Sequence, residues 1–499
     1  MPRTLEIQEI LLNVFGHCDS RADLPSLART CRAFKEPALD VLWEELPSLS
    51  PLTRCLPEAS NQLSPNDRRR SFSRPLTGTE WDILQSYTRR IRRISDFRWG
   101  IDEKSIEILS NPPTTEPLFL NLRSLHCNYA GINSTHLLHL PFPSLITISV
   151  KFDNPHCFQH ALKSFSESSP NISRLFLYVR QSDGAFNKLV SSCVCRWRNI
   201  QHLICPHTSL DMDALAHLSR MPALTLLSFR QTATLPDCDS PLLFSNLLRL
   251  RLKSPSLDLI SRFLSWIRLP AIRESSIITD NRPSGHELSS FLASLQTSNS
   301  SHTMKDLEWY QLFTPSNIVR SQAALLCLED LQPCMAFSNL RRIYFDIECN
   351  VRLTDSDLLA LASAWPYLEQ LEINPGYGWN TRGGITPNGL LQLLQKCRSL
   401  LRVVVAMDTR GYHLEGSPVD VNLGLTLPRY FVLDVLDSII EAESVEAVAT
   451  LFAGVASCSY FSLHAWSGSE MVTPPGWEVY KERWDDVSRR AKDAVRRLS

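Results

Sequence analysis

The sequence lacks long apolar runs, an excess of charge of either sign, and the glycine-rich phosphate-binding turns that follow a strand in nucleotide-binding proteins. Its 51 Lys and Arg side chains nearly balance 52 Asp and Glu side chains, and the formal net charge is −1. A chain without excess charge has no general attraction to nucleic acid or to an anionic membrane surface. No apolar run approaches the roughly 18 residues that would cross a bilayer. We therefore expect neither nucleic acid nor membrane as a partner, and binding must depend on local surfaces.

The sequence also lacks the residue spacings that mark catalytic or metal sites. No nucleophile elbow, Ser-His-Asp set or paired carboxylate can be recognised. The histidine and cysteine groups do not have the C-x-x-C pairs of a structural zinc site. These groups are His136 with His139, His156 with His160, and Cys193 and Cys195 with His202, Cys205 and His207. We expect no catalytic residue, no metal and no cofactor.

Cysteine is present without the short-range pattern of a disulfide framework. The chain has 14 cysteines, and most lie inside apolar segments, as Cys127, Cys205, Cys349 and Cys458 do. Such cysteines are typical of small, buried hydrophobic residues that stay reduced. No secretion-signal pattern is visible at the N-terminus. A cytoplasmic and/or nuclear location fits these features.

A compact helical segment occupies residues 5–46. A first helix over about residues 5–15 is predicted from the i, i+3, i+4, i+7, i+8 spacing of Ile7, Ile10, Leu11, Val14 and Phe15. A second helix is expected after Asp23 as N-cap, with inward Leu24, Leu27, Ala28 and Cys31. A third is expected to open at Glu36 and Pro37 and to end near Trp43. Three short helices can pack as one small unit.

The first of these helices carries more apolar surface than the segment can cover. Leu12 adds a further apolar position to the helix. The combined apolar positions occupy more of the helix circumference than a three-helix unit of about 40 residues can bury. The remaining surface predicts a binding partner.

This segment resembles the F-box. The matching positions are Leu5, Ile7, Glu9, Ile10, Leu11, Val14, Phe15, Asp23, Leu24, Cys31, Arg32, Phe34, Leu42 and Trp43. Gln8 stands where the family usually has a proline, which leaves the apolar face intact. The resemblance implies docking onto a Skp-type adaptor, and through it a cullin, with an adaptor-binding set of Ile7, Ile10, Leu11, Phe15, Leu24 and Trp43. From the residues alone, an amphipathic helical cap on a repeat domain is the alternative.

Composition and periodicity divide the chain into four segments. They are an F-box head (1–46), a linker with a partly helical segment (47–88), a repeat region (89–466) and a C-terminal capping helix (467–499). The arginines within residues 89–93 could form a nucleic-acid patch. We expect instead that Ile91 and Ile94 point inward on a strand and that the arginines form a solvated edge.

The body contains an internal repeat of the form apolar-x-x-apolar-x-apolar. The units start at Leu122, Leu145, Ile172, Ile200, Leu224, Leu247, Leu307, Leu340, Leu368 and Leu400, with a last one at Cys458. A period of about 23 to 30 residues suits one strand and one helix. Helices are predicted at residues 256–267, 354–365 and 386–397, each opened by Ser or Thr.

This repeat resembles the leucine-rich repeat in an irregular form. The resemblance implies an α/β solenoid with a curved parallel sheet inside and helices outside, and one sheet face open for binding. A β-sandwich is excluded because the segments between the strands have helical periodicity. The Asn or Cys that regular repeats carry after the strand is present only sporadically here.

Two further segments carry functional expectations. The glycine-rich loop at residues 374–389 holds candidate substrate-binding residues Tyr377, Trp379 and Arg382, although such a loop can also pack on neighbouring repeats. The tail is predicted to be a capping helix, with a membrane-surface helix as the alternative. Its apolar face consists of Tyr480, Trp484, Val487, Ala491, Val495 and Leu498.

The function that these features predict is substrate recognition within a Skp-cullin-F-box ubiquitin ligase, with a protein substrate on the repeat surface. A non-ligase scaffold would use the same head for assembly only. A hydrolase hidden in the repeats would need a reactive residue in a closed pocket.

Overall fold

The computed structural model describes most of the chain, which forms two compact units, Met1–Leu224 and Thr225–Ser499. The described residues are 7–18, 20–57, 61–63, 70–72, 74–95, 103–113, 116–129, 140–180, 182–232, 240–312, 323–381, 384–412, 430–455 and 460–498. Within these residues, no helix combines the length and the hydropathy needed to cross a bilayer.

The first unit combines helices with a parallel sheet. Its helices are α1 Gln8–Gly16, α2 Leu24–Thr30, α3 Arg32–Glu44, α4 Ser50–Arg54, α5 Gly78–Thr88, α6 Glu103–Ser110, α7 Gln159–Ser168, α8 Gly184–Val194 and α9 Met212–Ser219. Its strands are β1 Glu45–Leu46, β2 Asn61–Leu63, β3 Arg70–Phe72, β4 Arg93–Ile94, β5 Ser124–Tyr129, β6 Thr147–Phe152, β7 Arg174–Val179 and β8 His202–Cys205. The sheet has the order β1-β4-β5-β6-β7-β8, and β2 pairs with β3 in antiparallel orientation.

The second unit continues the alternation of parallel strands and helices. Its main strands are β9 Leu226–Arg230, β11 Arg249–Ser254, β13 Glu274–Thr279, β14 Asp306–Gln311, β16 Arg342–Asp346, β18 Gln370–Ile373, β19 Arg402–Val404, β20 Tyr430–Asp434 and β21 Tyr460–His464, paired in that order. The short strands β10 Leu242–Leu243 and β12 Ile267–Arg268 form one pair, and β15 Leu325–Leu326 and β17 Asn350–Val351 form another. The helices are α10 Leu257–Ser265, α11 Gly285–Ser298, α12 Leu328–Met335, α13 Asp355–Ala364, α14 Pro387–Lys396, α15 Val445–Val455 and α16 Trp477–Leu498.

Alternating side chains explain why one face of each sheet is covered. In β6, Ile148, Val150 and Phe152 are buried, whereas the intervening residues Ser149 and Lys151 lie on the other face. Successive side chains of a strand point to opposite faces, so a strand with this pattern buries one face only. The α7 helix contributes buried Ala161, Leu162 and Phe165 to the core of the same unit. The predicted α/β fold is therefore confirmed.

All ten internal repeat motifs predicted between Leu122 and Leu400 contain a strand, and the last motif contains β21. Two of the main strands of the second unit, β13 and β20, were not predicted. In β13, Ser275 occupies an inward position where the repeat motif has an apolar residue. Its side chain is buried, and its hydroxyl has no hydrogen-bond partner among the described residues.

The predicted helices at 256–267, 354–365 and 386–397 correspond to α10, α13 and α14. Thr354 and Asp357 form a reciprocal capping box at the start of α13, and the Thr386 hydroxyl accepts the N–H of Gly389 at 3.3 Å. Side-chain caps of this kind satisfy backbone N–H groups that have no partner within the helix. Ser256, the third expected cap, makes no such hydrogen bond.

The terminal helix α16 packs against α15 and β21. Trp484, Val487 and Ala491 on its predicted apolar face are buried, and the Trp484 indole N–H donates to the carbonyl oxygen of Ser438 at 2.9 Å. The Phe452 ring of α15 lies 6.4 Å from the Trp484 ring, between centroids. The side chains of the last two predicted positions, Val495 and Leu498, lie outside the described part. The described part of α16 thus covers α15 and the last strand, β21.

Three of the four cysteines expected in the interior are buried, namely Cys127, Cys205 and Cys349. Burial raises the pKa of the Cys205 thiol, and of the Cys349 thiol, to about 12, because the thiolate loses its hydration. Cys458 lies outside the described residues.

We expect Cys205 and Cys349 to resist alkylation by iodoacetamide at about pH 8, because the thiolate is the reactive form and a pKa near 12 leaves almost none of it. Partly exposed Cys18 provides the comparison within the same chain. Mass spectrometry of timed samples should show label on Cys18 first and on Cys205 only after unfolding. Equal labelling rates for Cys18 and Cys205 in the folded protein would contradict the structure.

Candidate functional site

The N-terminal head has one small core shared by α1, α2 and α3. Leu11, Phe15, Leu24 and Ala38 are almost fully buried there, with partly buried side chains around them from Leu27, Ala28, Phe34, Val41 and Leu42. The Phe15 and Phe34 rings meet edge to face at 5.3 Å between centroids. Aromatic pairs favour this geometry, which adds to the free energy of burial.

The ends of the head helices differ from the prediction in two places. The third helix starts at Arg32, four residues before Glu36, so Pro37 lies inside it. Pro37 cannot donate a backbone hydrogen bond, and it is buried beside Ala38. At the start of α2, the Asp23 side chain makes no capping bond.

An apolar stripe lies on the outer side of α1. Ile7 is 45% exposed, Ile10 is 38% exposed and Val14 is 52% exposed. Their i, i+3, i+7 spacing places them on one side of the helix. Exposed aliphatic residues that follow one side of a helix indicate an interaction surface more strongly than scattered ones do. We call these three residues the α1 stripe.

The predicted adaptor-binding residues fall into two groups. Ile7 and Ile10 belong to the α1 stripe, whereas Leu11, Phe15 and Leu24 belong to the head core. The α1 stripe includes Val14, which the sequence had placed on the apolar face but not among the adaptor-binding set.

Trp43, the sixth predicted residue, joins the head to the next part of the first unit. It is buried, and its ring lies 4.6 Å from the ring of Tyr87, between centroids. Trp43 therefore packs against α5 and does not lie on the solvent-exposed surface of the head.

Acidic side chains of α3 pair with arginines of residues 89–93. Arg90 donates to the carboxylates of Glu36 and Asp40, and its side chain is only 19% exposed. Arg93 lies 3.5 Å from the carboxylate of Glu44. The expected solvated edge is thus wrong for Arg90, because the carboxylates of α3 pair with it. Backbone hydrogen bonds between β1 and β4 run alongside these ion pairs.

In the second unit, the sheet face opposite the core carries a ladder of charged residues. Strand register places Arg249, Glu274, Asp306 and Arg342 side by side. Arg249 lies 3.7 Å from the Glu274 carboxylate, and Arg342 lies 3.7 Å from the Asp306 carboxylate. Such exposed pairs contribute little stability, but they cancel charge. These four residues therefore offer hydrogen-bonding groups without an excess of one sign.

The glycine-rich loop after β18 is folded inward at its aromatic residues. Tyr377 is buried and Trp379 is fully buried, and the Trp379 indole N–H donates to the carbonyl oxygen of Ile373 at 2.9 Å. Arg382 lies outside the described residues. Of the two alternatives that the sequence left open for this loop, substrate binding and packing on neighbouring repeats, the burial of Tyr377 and Trp379 favours packing.

Asn374 explains why the loop turns inward. It has a left-handed backbone with φ of 55° and is fully buried. Its side-chain oxygen accepts the N–H of Ile347 at 3.1 Å, and its side-chain nitrogen donates to the carbonyl oxygen of Cys349 at 3.1 Å. Asparagine tolerates this backbone better than most residues because its short amide can bond locally. The loop is therefore tied to the preceding repeat directly after the strand.

The histidine and cysteine groups considered from the sequence do not converge in the described part of the chain. His156 lies 3.4 Å from the Asp183 carboxylate, and the Cys193 thiol is buried and donates to the carbonyl oxygen of Leu162. Within the described residues, no group of three or more His, Cys, Asp and Glu side chains is placed to hold a metal ion. His136 and His139 lie outside the described residues.

Residues 8–46 match the protein-family model described as F-box-like. No curated protein shows significant sequence similarity to this chain. Among solved structures, the chain is similar to an internalin from Listeria monocytogenes, with 13% identity over 81% of this chain and 87% of that chain and a TM-score of 0.32. The chain thus has an F-box-like domain at residues 8–46. The strand pairing of the described residues shows that this domain is followed by an irregular alternation of parallel strands and helices.

Leu11→Ala and Ile10→Ala should separate the core of the head from its surface. Leu11→Ala leaves a cavity in the core and should lower the local free energy of unfolding by about 2–5 kcal/mol. Ile10→Ala removes an exposed side chain and should change it by less than about 1 kcal/mol. Hydrogen exchange of the α1, α2 and α3 amides measures this difference. Equal loss of protection in both variants would refute the division between core and stripe.

Proposed function

We propose that this protein is the substrate-recognition subunit of a Skp-cullin-F-box ubiquitin ligase. The observation that carries the proposal is the α1 stripe on an F-box-like domain whose own core is already filled. F-box domains generally bind Skp-type adaptors, and an adaptor would cover Ile7, Ile10 and Val14. The adaptor in turn would connect the chain to a cullin.

The size of the α1 stripe limits how much of the binding it can supply. Burying the exposed part of an aliphatic side chain contributes about 1 kcal/mol, so three such residues contribute about 3 kcal/mol. A micromolar complex needs about 8 kcal/mol. The adaptor must therefore also contact the more polar surface around the stripe, and the stripe would form the apolar centre of a larger interface.

The repeats would hold the protein substrate. A parallel sheet with one uncovered face offers a row of side chains at fixed spacing, and the paired charges of the second unit offer donors and acceptors to a partner. The repeats act as an interaction surface, and ubiquitin transfer would be carried out by the partner subunits. We place this activity in the cytoplasm and/or nucleus, where buried thiols such as Cys205 stay reduced.

A non-ligase scaffold would bind the same adaptor through the same stripe. The two functions differ in what the cullin does. If the protein is a ligase receptor, ubiquitylation of its bound partners requires the cullin; if it is a scaffold, the adaptor binds and no partner is modified. Reconstitution with and without the cullin distinguishes them.

Val14→Asp should weaken binding of a purified Skp-type adaptor by about 30-fold or more, because it buries an unpaired carboxylate at the centre of the interface. Val14 is the most exposed residue of the stripe, so the variant should fold as the wild type does. The matched control is Gln8→Asp, which adds the same charge to exposed surface at the start of α1. Calorimetric titration measures the affinities, and circular dichroism checks the fold. Equal adaptor affinity in both variants would exclude the α1 stripe as the binding surface.

A further inference from the structure

Two neighbouring strands of the second unit carry four cationic side chains on the sheet face opposite the core. Successive side chains of a strand point to opposite faces, and Leu250 and Leu252 of β11 are buried, so the residues between and beside them lie on the open face. Strand register places a further cation of β9 beside the last of them. We call these four residues the basic patch: Arg230 of β9 and Arg249, Arg251 and Lys253 of β11.

Two cations of the basic patch share one carboxylate. Asp280, which directly follows β13, pairs with the Arg230 guanidinium, and its other carboxylate oxygen lies 3.9 Å from the Lys253 ammonium. Burial lowers the pKa of Lys253; the Asp280 carboxylate opposes this effect and the Arg230 guanidinium adds to it. This end of the patch therefore keeps a net positive charge.

Arg251 lies between this group and the pair that Arg249 forms with Glu274, at 3.7 Å. The Arg251 side chain is exposed and makes no ion pair or side-chain hydrogen bond among the described residues. A guanidinium has five N–H donors in one plane and can hold a carboxylate through two parallel hydrogen bonds. Arg251 is thus the member of the basic patch whose donors are available to a partner.

A cleft of about 190 Å³ opens beside Arg251. Register places the small side chain of Ser276 between the long side chains of Arg251 and Glu308, so the surface is indented there. Pockets for small-molecule ligands usually measure at least about 300 Å³. This cleft therefore has room for the end of one side chain.

The carboxylates on the far side of the cleft limit which anion can enter. On β14, Asp306 and Glu308 share the Arg342 guanidinium, at 3.7 Å and 3.6 Å. Three guanidinium groups and three carboxylates line the cleft, those of Arg249, Arg251, Arg342, Glu274, Asp306 and Glu308. A phosphate dianion would be repelled more strongly by these carboxylates than a carboxylate with a single charge. The cleft therefore favours a carboxylate that pairs with Arg251.

We propose that the basic patch binds an acidic segment of the protein that the repeats recognise, with one aspartate or glutamate side chain in the cleft against Arg251. Ser276 leaves the space for this side chain, and the net positive charge at Arg230 and Lys253 attracts further carboxylates of the segment. This proposal rests on the proposed receptor function, because that function supplies a protein partner.

Selection from a random nonapeptide display library on the full-length protein tests the proposal. We expect the enriched peptides to carry aspartate or glutamate. In the best peptide, replacing the essential glutamate by glutamine, or aspartate by asparagine, should weaken binding by about tenfold, because the change removes the charge and keeps the size.

Arg251→Gln should weaken the same peptide by about tenfold. The variant should fold as the wild type does, because the side chain is exposed and unpaired, and circular dichroism checks this. The matched control is Arg398→Gln, at an exposed arginine outside the basic patch and the cleft, which should change affinity by less than about twofold. The two losses should not add: in Arg251→Gln, the neutral peptide should bind within about twofold of the acidic one, because the partner of the carboxylate is already missing.

Three results would overturn the proposal. They are a selection that yields no binding peptide or peptides without acidic residues, equal affinity of the acidic peptide for wild type and Arg251→Gln, and tighter binding of the peptide when phosphoserine replaces its acidic residue, which would identify a phosphate as the anion. Adaptor binding to the wild-type protein separates this proposal from the receptor function. If the adaptor binds and acidic peptides do not, the basic-patch proposal alone fails; if the adaptor does not bind, the receptor function fails.

Discussion

The head of this protein depends on how much apolar surface three short helices can cover. Leu11 and Phe15 of α1 reach the small core with Leu24 and Ala38, and this core has no room for the rest of the helix. Ile7, Ile10 and Val14 therefore remain on the outside. The same division gives the head its stability and its binding surface, because one set of side chains holds the helices together while the other needs a partner. Substitutions in the first set change folding, and only those in the second set report on binding alone.

The repeats must expose one face of a sheet without binding other molecules nonspecifically. Neighbouring strands place opposite charges side by side, as for Arg249 with Glu274 and Arg342 with Asp306. At this position along the strands, the charges on the open face of the second unit therefore cancel in pairs. Selectivity must then come from local departures from this balance.

Much of the fold could be predicted, and the failures have physical causes. Strands with apolar residues at each inward position were found, whereas β13 was missed because Ser275 occupies one of them. The start of α3 was misplaced because proline favours a first turn, but Pro37 is held inside the helix by burial. The inward turn of Trp379 depends on a carbonyl group and on the left-handed Asn374, neither of which a sequence pattern reveals. The cavity of the second unit that Asn350, Trp466 and Tyr480 line could not be predicted. These residues are far apart in the sequence and meet only after the strands have paired.

The F-box-like motif ends at residue 46, but the structure does not divide there. Glu45 and Leu46 form β1, and its carbonyl groups and those of its neighbour Glu44 accept N–H groups from the β4 region, with Arg92 donating to Glu44 at 2.8 Å and Ser95 to Leu46 at 2.9 Å. A cut after residue 46 would leave β4 with the unpaired edge of a sheet, a common starting point for aggregation. A chimaera that exchanges this head for another would need to bring a matching strand with it. The smallest segment that can be exchanged is therefore larger than the F-box-like motif.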